Sequence, residues 1–242
     1  MNISNNKILI TGGASGIGLG LAGRFVAENN TVIICGRRED ALKEVSGKLP
    51  SVMTFRCDLS QERERIRLFG WILENHPDLN VLVNNAGIQQ HMTISDDDFI
   101  ERAKAEIAIN VEAPLHLASL FIKLPALRTI LNVTSGLAYV PMAKTAVYCA
   151  TKSFFHSFTL SLRHIVKTSG IEVIELIPPA LNTDLGGKGL HNYAPPVSDF
   201  IESVFDQLKQ GKTEIAFGFS EAMTRACPDD LQKAFQRMNP DA

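Results

Sequence analysis

Cysteine is scarce in this sequence, and its spacing excludes the structures that cysteine usually builds. The four cysteines, Cys35, Cys57, Cys149 and Cys227, form no C-x-x-C pair and show no metal-ligand spacing. A disulfide-stapled fold is therefore not expected, and the pattern predicts reduced thiols in a cytosolic protein. The first six residues are polar and lack the basic and apolar segments of a secretory signal peptide.

Long apolar runs and an excess of charge are also absent. No uninterrupted apolar run approaches the roughly 18 residues of a membrane span. The 24 basic and 26 acidic residues leave a net charge of −2, so neither nucleic acid nor anionic lipid is an expected partner. The histidines include no H-E-x-x-H motif, and the acidic run at residues 95–98 predicts a helix start rather than a metal site. The remaining composition, 45% apolar and 21% charged, is typical of a globular protein with a core.

The clearest local pattern lies in residues 7–18, which read KILITGGASGIG. An apolar, β-branched run is followed by spaced glycines and then by a helical pattern, which predicts a strand, a turn and a helix. Such a turn presents backbone N–H groups at a helix N-terminus, where the helix dipole favours an anion. The absent side chains at Gly12, Gly16 and Gly18 let a pyrophosphate approach and let the helix pack closely on the strand.

Strand and helix patterns alternate along the rest of the chain. Apolar runs at residues 31–35, 52–56, 81–83, 129–133, 172–177 and near 214–217 are separated by helical segments, one of which is expected to run through Asn110 to about Leu124. The alternation predicts a doubly wound α/β fold, with a mostly parallel sheet of about seven strands and helices on both faces. No linker interrupts it, so residues 1–242 are predicted to form a single domain. Glycine and proline in residues 184–197 predict a mobile substrate loop.

Several chemically useful residues follow the predicted strand ends. In a parallel sheet of this kind, ligands bind beyond the carboxyl ends of the strands. Six residues lie just past such ends and are expected to converge: Gly12, Arg37, Asp58, Asn85, Ser135 and Pro178.

Tyr148 and Lys152 lie four residues apart on a predicted helix and therefore share a face. A lysine one turn from a tyrosine favours the phenolate, so the pKa of Tyr148 is expected to fall from its usual value of about 10. Tyr148 is then a candidate general acid and base near neutral pH. The same spacing also occurs by chance on solvated helices. Ser135, at the preceding strand end, is placed to hold a substrate oxygen beside Tyr148.

Taken together, these motifs resemble the short-chain dehydrogenase/reductase family. The matching residues are Thr11-Gly12-x-x-x-Gly16-Ile17-Gly18, Asn84-Asn85-Ala86-Gly87, Asn110, Ser135 and Tyr148-x-x-x-Lys152, in the family's order and spacing over residues 7–183. The resemblance implies a Rossmann fold and a nicotinamide-dependent oxidoreductase that acts on a small-molecule carbonyl or alcohol. Within the family, the sequence is similar to a bacterial branch labelled lipoteichoic-acid-operon oxidoreductase.

The resemblance also implies four catalytic roles. Tyr148 would exchange a proton with the substrate oxygen, and Ser135 would orient that oxygen. Lys152 would hold the nicotinamide ribose and lower the pKa of Tyr148. Asn110 would position a water in the proton relay behind Lys152, although a kinked helix or a buried polar position also explains this asparagine.

A larger set of residues is implied to contact the cofactor. Asp58 would bond the adenine amino group, Asn85 to Gly87 would line the adenosine ribose side, and Thr183 would bond the nicotinamide carboxamide. The full set is Gly12, Ser15, Gly16, Ile17, Gly18, Arg37, Arg38, Asp58, Leu59, Asn85, Ala86, Gly87, Tyr148, Lys152, Pro178 and Thr183. The sequence departs from the family at Pro179, where many members have glycine, and at Thr134, where a second serine is frequent.

The residues after the second strand predict a preference for NADP(H) over NAD(H). An NAD site usually places an acidic residue there to bond the ribose 2′-hydroxyl. This chain has Gly36-Arg37-Arg38 instead, and no acidic residue until Glu39. Arg37 offers a planar donor fork that suits a phosphate, and Arg38 adds charge.

The sequence also leaves two other functions open and predicts an oligomeric assembly. A non-catalytic NADP-binding sensor or partner protein would share the fold, but such proteins commonly lose the tyrosine or the lysine. A sugar-nucleotide epimerase or dehydratase usually needs a larger C-terminal region. The helix near residues 147–168 is apolar on more than one face, which predicts a homodimer or homotetramer.

Overall fold

The computed structural model describes residues 1–240 and contains one seven-stranded parallel sheet. Every pair of neighbouring strands is parallel, and the strand order is β3-β2-β1-β4-β5-β6-β7. The strands are β1 (Lys7–Thr11), β2 (Thr31–Gly36), β3 (Met53–Arg56), β4 (Val81–Asn84), β5 (Thr129–Val133), β6 (Glu172–Ile177) and β7 (Glu214–Ala216). The predicted doubly wound α/β fold is therefore confirmed.

Helices cover both faces of the sheet. They are α1 (Gly16–Ala27), α2 (Glu39–Lys48), α3 (Glu62–Asn75), α4 (Phe99–Ile107), α5 (Ala113–Phe121), α6 (Ala146–Ile165), α7 (Val197–Lys209), α8 (Phe219–Thr224) and α9 (Pro228–Met238). Successive strand residues point to opposite faces, so Ile8 and Ile10 pack with α1 and α7. Leu9 packs on the other side with residues of α3, α5 and α6. Two apolar layers thus enclose the sheet and fix the positions of its strand ends.

The long helix predicted to pass through Asn110 is interrupted. It begins at Phe99, changes to a π-helical turn at Ala108–Glu112 and resumes as α5, which ends at Phe121. Pro114 has no N–H to donate to the Asn110 carbonyl four residues earlier, so a regular α-helix cannot continue through this point.

The chain between β6 and α7 contains neither helix nor strand from residue 178 to residue 196. Gly186, Gly187 and Gly189 have positive φ angles, which only glycine adopts readily. The predicted substrate loop thus lies in an irregular segment that ends where α7 begins, at Val197.

All four cysteines are free thiols. Cys35, Cys57 and Cys149 are buried, whereas Cys227 is exposed at the start of α9. Burial raises the pKa of the Cys35 and Cys149 thiols and raises that of Cys57 to about 12. Within residues 1–240, no helix is both long and apolar enough to cross a membrane.

Candidate active site

The glycine-rich turn lies at the carboxyl end of β1 and leads into α1. Gly12 and Gly16 have φ angles of +63° and +52°, so both need the conformational freedom of glycine. A side chain at Gly18 would collide with the Gly12 carbonyl and the Asn85 amide. Ser15 is exposed at the N-cap of α1, and Ile17 packs against the core. The turn therefore holds bare backbone at a helix N-terminus, which suits a dinucleotide phosphate.

The segment after β4 is tied to this turn. The Asn85 amide donates to the Thr11 carbonyl at 2.8 Å, and the backbone N–H groups of Asn85 and Ala86 donate to the Thr11 hydroxyl at 2.9 and 3.0 Å. Sequence reasoning treated Thr11 only as one letter of the glycine motif. The Thr11 hydroxyl joins the end of β1 to the segment after β4. In the sequence, this role is indicated only by a polar residue at the end of an apolar strand.

The two arginines after β2 take different positions. Arg38 reaches back to the turn, with its guanidinium 3.4 Å from the Ser15 hydroxyl. Arg37 is exposed and makes no hydrogen bond to any residue in the range 1–240. Sequence reasoning assigned the leading role to Arg37, whereas the structure places Arg38 beside the glycine turn.

Asp58 and Leu59 follow β3. One oxygen of the Asp58 carboxylate accepts bonds from the backbone N–H and hydroxyl of Ser60, at 3.0 and 2.8 Å. Leu59 is 5% exposed, and its carbonyl accepts a bond from Arg65 at 2.6 Å. Asp58 is therefore held in one orientation, with the second oxygen of its carboxylate open to another partner.

Ser135, Tyr148 and Lys152 are brought together by β5 and α6. All three are buried, and the Ser135 side chain lies near enough to the Tyr148 hydroxyl to influence its pKa. The Ser135 hydroxyl accepts from the Leu137 N–H at 3.1 Å, which orients it. The Lys152 ammonium donates to the Val133 carbonyl at 2.9 Å and lies 5.7 Å from the centre of the Tyr148 ring.

The expected lowering of the Tyr148 pKa is wrong for this structure. Burial raises the pKa of Tyr148 above its ordinary value, and the neighbouring Ser135 side chain opposes this only in part. Burial also lowers the pKa of Lys152 to about 8. The physical reason is that moving the phenolate out of water costs more free energy than the nearby Lys152 supplies. The Lys152 ammonium is turned toward the Val133 carbonyl instead.

Asn110 lies in the π-helical turn and is buried. Its amide donates to the Ile88 carbonyl at 2.8 Å and to the Thr151 hydroxyl at 3.1 Å, and its oxygen accepts from the Ile88 N–H at 2.9 Å. A β-carbon added to Gly87 would lie 3.4 Å from this oxygen and 3.6 Å from the Lys152 ammonium. The side chain thus holds the loop after β4 at the kink, and the relay water stays a prediction.

Pro178 and Thr183 border the site from the segment after β6. The Pro178 carbonyl accepts from the Gly136 N–H at 3.0 Å, which ties this segment to the residue after Ser135. The Thr183 methyl would lie 3.4 Å from a β-carbon on Gly16, so Thr183 faces the glycine turn.

A polar cluster behind Ser135 was missed by sequence reasoning. The buried Glu175 carboxylate accepts from the Thr134 hydroxyl at 2.7 Å and contacts the His156 ring at 2.9 Å. The Tyr139 hydroxyl lies 3.2 Å from the same ring nitrogen. Glu175 raises the pKa of His156. His156 continues the Tyr148–Lys152 stripe by one turn, and this spacing is the signal that could have found it.

Comparison with known proteins agrees with this geometry. A family model described as short chain dehydrogenase matches residues 6–193. The uncharacterized oxidoreductase DltE of Bacillus subtilis is 41% identical, and the match covers 99% of this chain and 98% of that protein.

Solved structures with the same fold include complexes with both nicotinamide cofactors. A Burkholderia cenocepacia short chain dehydrogenase in complex with NADP has a TM-score of 0.83 and 21% identity, over 98% of this chain and 99% of that one. A Burkholderia phymatum short chain dehydrogenase/reductase in complex with NAD has a TM-score of 0.82 and 19% identity, over 100% and 99% of the two chains.

The fold and the glycine turn define a nicotinamide-binding oxidoreductase of the doubly wound α/β class. The chain belongs to the short-chain dehydrogenase/reductase family and is an NAD(P)-dependent enzyme. The match to DltE also agrees with the bacterial branch that the sequence resembles.

Proposed function

We propose that the protein interconverts a carbonyl and a secondary alcohol with NADP(H), and that Tyr148 exchanges the proton with the substrate oxygen. The observation that carries this proposal is the grouping of three buried side chains, Ser135, Tyr148 and Lys152, beside Gly87. The bound nicotinamide would supply or accept the hydride. Gly12, Ser15, Gly16, Ile17 and Gly18 would hold its pyrophosphate.

The protonated form of Tyr148 is the one needed for the reduction step. Because burial raises the pKa of Tyr148, its hydroxyl is protonated at neutral pH. A protonated phenol donates to a carbonyl oxygen as the hydride arrives, and Ser135 holds that oxygen in place. Above a pH of about 8, Lys152 loses its charge in the absence of a ligand, so its ammonium supports Tyr148 only below that pH.

The remaining contacts complete the proposed cofactor site. Arg38, and Arg37 beside it, would bind the 2′-phosphate of NADP(H), which agrees with the NADP complex of the Burkholderia cenocepacia structure. The NAD complex of the other relative leaves this preference to be measured. The residues proposed to contact the rest of the cofactor are Asp58, Leu59, Asn85, Ala86, Gly87, Lys152, Pro178 and Thr183, with Asn110 behind Lys152.

Three wider statements belong to the same proposal. All seven strands form one sheet, so the chain is proposed to act as a single domain. Exposed apolar residues on α3 and α6, and Ile122 just after α5, support a homodimer or homotetramer. The cytosolic location predicted from the thiols can be checked by cell fractionation.

A carbonyl and alcohol panel tests the proposal. The wild type and Tyr148→Phe are assayed with NADPH and NADH, and turnover is followed by nicotinamide absorbance. Tyr148→Phe is expected to lower turnover by about 10²–10⁴-fold and to leave NADPH affinity nearly unchanged, because only a proton-transferring hydroxyl is lost. Near-wild-type rates in the variant would contradict the mechanism. Cofactor binding without turnover on the whole panel would support the sensor alternative.

A further inference from the structure

The loop between β4 and α4 is held by three polar residues spaced four apart on successive helical turns. Asn110 binds both backbone groups of Ile88, and the Glu106 carboxylate accepts the Gln90 N–H. Arg102 donates to the His91 carbonyl and, at 3.3 Å, to the Gln90 side chain. Residues 88–91 are therefore fixed to one edge of the helix.

One of the groups that hold this loop, the Glu106 carboxyl, is energetically costly to bury. Glu106 is fully buried, and burial raises the pKa of its carboxyl to about 7. Its second oxygen has no hydrogen-bond partner within residues 1–240. A buried carboxyl group with a single hydrogen bond is tolerated where that bond fixes the position of its partner, which here is the Gln90 backbone.

The two glutamines of this loop face in opposite directions. The Gln90 amide turns toward α4 and donates to the Arg102 carbonyl at 3.3 Å. Gln89 is only 7% exposed, yet its side-chain amide makes no hydrogen bond within the described range of residues 1–240. Its oxygen would lie 3.2 Å from a β-carbon on Gly186, so the side chain meets the predicted substrate loop.

Gln89 thus lies on the chain segment that leads from Gly87 toward the substrate loop. Two residues before it, Gly87 adjoins Lys152, and across from it Gly186 has a φ angle of +82°. An amide that is largely enclosed and makes no hydrogen bond within residues 1–240 is available to a polar group that enters the same space.

We propose that Gln89 is a specificity-determining residue that hydrogen-bonds a neutral hydroxyl or carbonyl group of the substrate, beside the carbonyl that is reduced. This inference rests on the proposed function. A neutral group is the expected partner because the Gln89 amide is uncharged and Lys188, the one cationic lysine or arginine of residues 184–197, is exposed to solvent. The preferred substrate class is accordingly a hydroxyketone or a diketone.

Matched ketones and matched variants test the inference. The holoenzyme with NADPH is assayed on hydroxyacetone, 4-hydroxy-2-butanone and 5-hydroxy-2-pentanone, and on the same three ketones without the hydroxyl. The series moves the hydroxyl away from the carbonyl one carbon at a time, so the spacing that Gln89 accepts is found by the assay itself. Gln89→Met removes the amide at nearly constant size, and Gln90→Met is the control on the opposite side of the loop.

The wild type is expected to prefer at least one hydroxyketone by about tenfold in kcat/KM, the effect of one hydrogen bond. Gln89→Met should lose this preference while keeping the rate on the plain ketone, and Gln90→Met should keep it. The inference is overturned if the wild type shows no preference, if both variants lose it equally, or if none of the six ketones is reduced. NADPH titration and the larger carbonyl panel test the proposed function separately, because neither measurement depends on a hydroxyl group in the substrate.

Discussion

At the scale of single residues, Arg37 and Arg38 carry the clearest prediction about the cofactor. Arg38→Ala and Arg37→Asp are each expected to weaken NADPH binding by about ten- to a hundredfold, because a charged hydrogen bond to the 2′-phosphate is lost. NADH binding should stay unchanged or become tighter. Titration of both cofactors by nicotinamide fluorescence measures this.

The control for these variants lies on α2, the helix that follows them. Lys48→Ala removes a cation that pairs with Glu44 at the far end of α2, and it should leave both affinities unchanged. A wild type that binds NADH as tightly as NADPH would contradict the preference.

Residues differ in how much of their role the sequence reveals. Gly12, Ser135 and Tyr148 are predictable because each is marked by its place just after a strand or on a helix face. The pKa of Tyr148 was not predictable, because it depends on burial, and burial is a property of the packed molecule. Gln89 was missed for the same reason, since Gly186, the residue that it contacts in the substrate loop, is distant in sequence.

At the scale of elements, α6 carries a stripe of three titratable side chains: Tyr148, Lys152 and His156. The last of these joins the helix to β6 through Glu175. Glu175→Gln is expected to lower the free energy of unfolding by about 1–3 kcal/mol, because the hydrogen bond to the protonated ring loses its charge.

The pH dependence of this effect follows from the raised pKa of His156. The stabilisation is fully present below the unfolded pKa of about 6.5 and is lost as the pH rises through the folded value. The difference between wild type and Glu175→Gln should therefore be larger in acid than in base. Denaturant unfolding of both proteins across this range, with an NMR titration of His156, measures it. A difference that does not change with pH would contradict the charged pair.

The boundaries of the helices and strands show which parts of the fold could be predicted from the sequence. The strands at residues 129–133 and 172–177 have the predicted bounds, because buried parallel strands read as continuous apolar runs. The helix through Asn110 was predicted as continuous, although Pro114 was a visible sign of the break. The contacts that stabilise the π-helical turn come from Ile88 and Thr151, which are distant in sequence.

At the scale of the whole molecule, the proposed self-association rests on one face formed by α3, α5 and α6. A groove of about 600 Å³ on this face is lined partly by Leu115, Ile122 and Phe158. Phe154 and Leu160 of α6 are 45% and 42% exposed. Such apolar surface is normally covered in a stable assembly.

Light scattering is expected to give a multiple of the 26.5 kDa chain mass. Ile122→Glu places a charge in the groove and should shift the protein toward the monomer. Ile94→Glu, at an apolar residue that is 84% exposed in the loop before α4, should not. A wild type of about 26.5 kDa at micromolar concentration would contradict the assembly.

Because Cys227 is exposed and the other three thiols are buried, the chain can be labelled selectively at one sulfur atom. Three of the four sulfur atoms are enclosed, and their raised pKa values keep them in the unreactive protonated form. A maleimide dye should therefore attach to Cys227 without any engineered mutation. Mixing protein that carries a donor dye with protein that carries an acceptor dye would report subunit exchange through energy transfer. Cys227→Ser supplies the unlabelled reference.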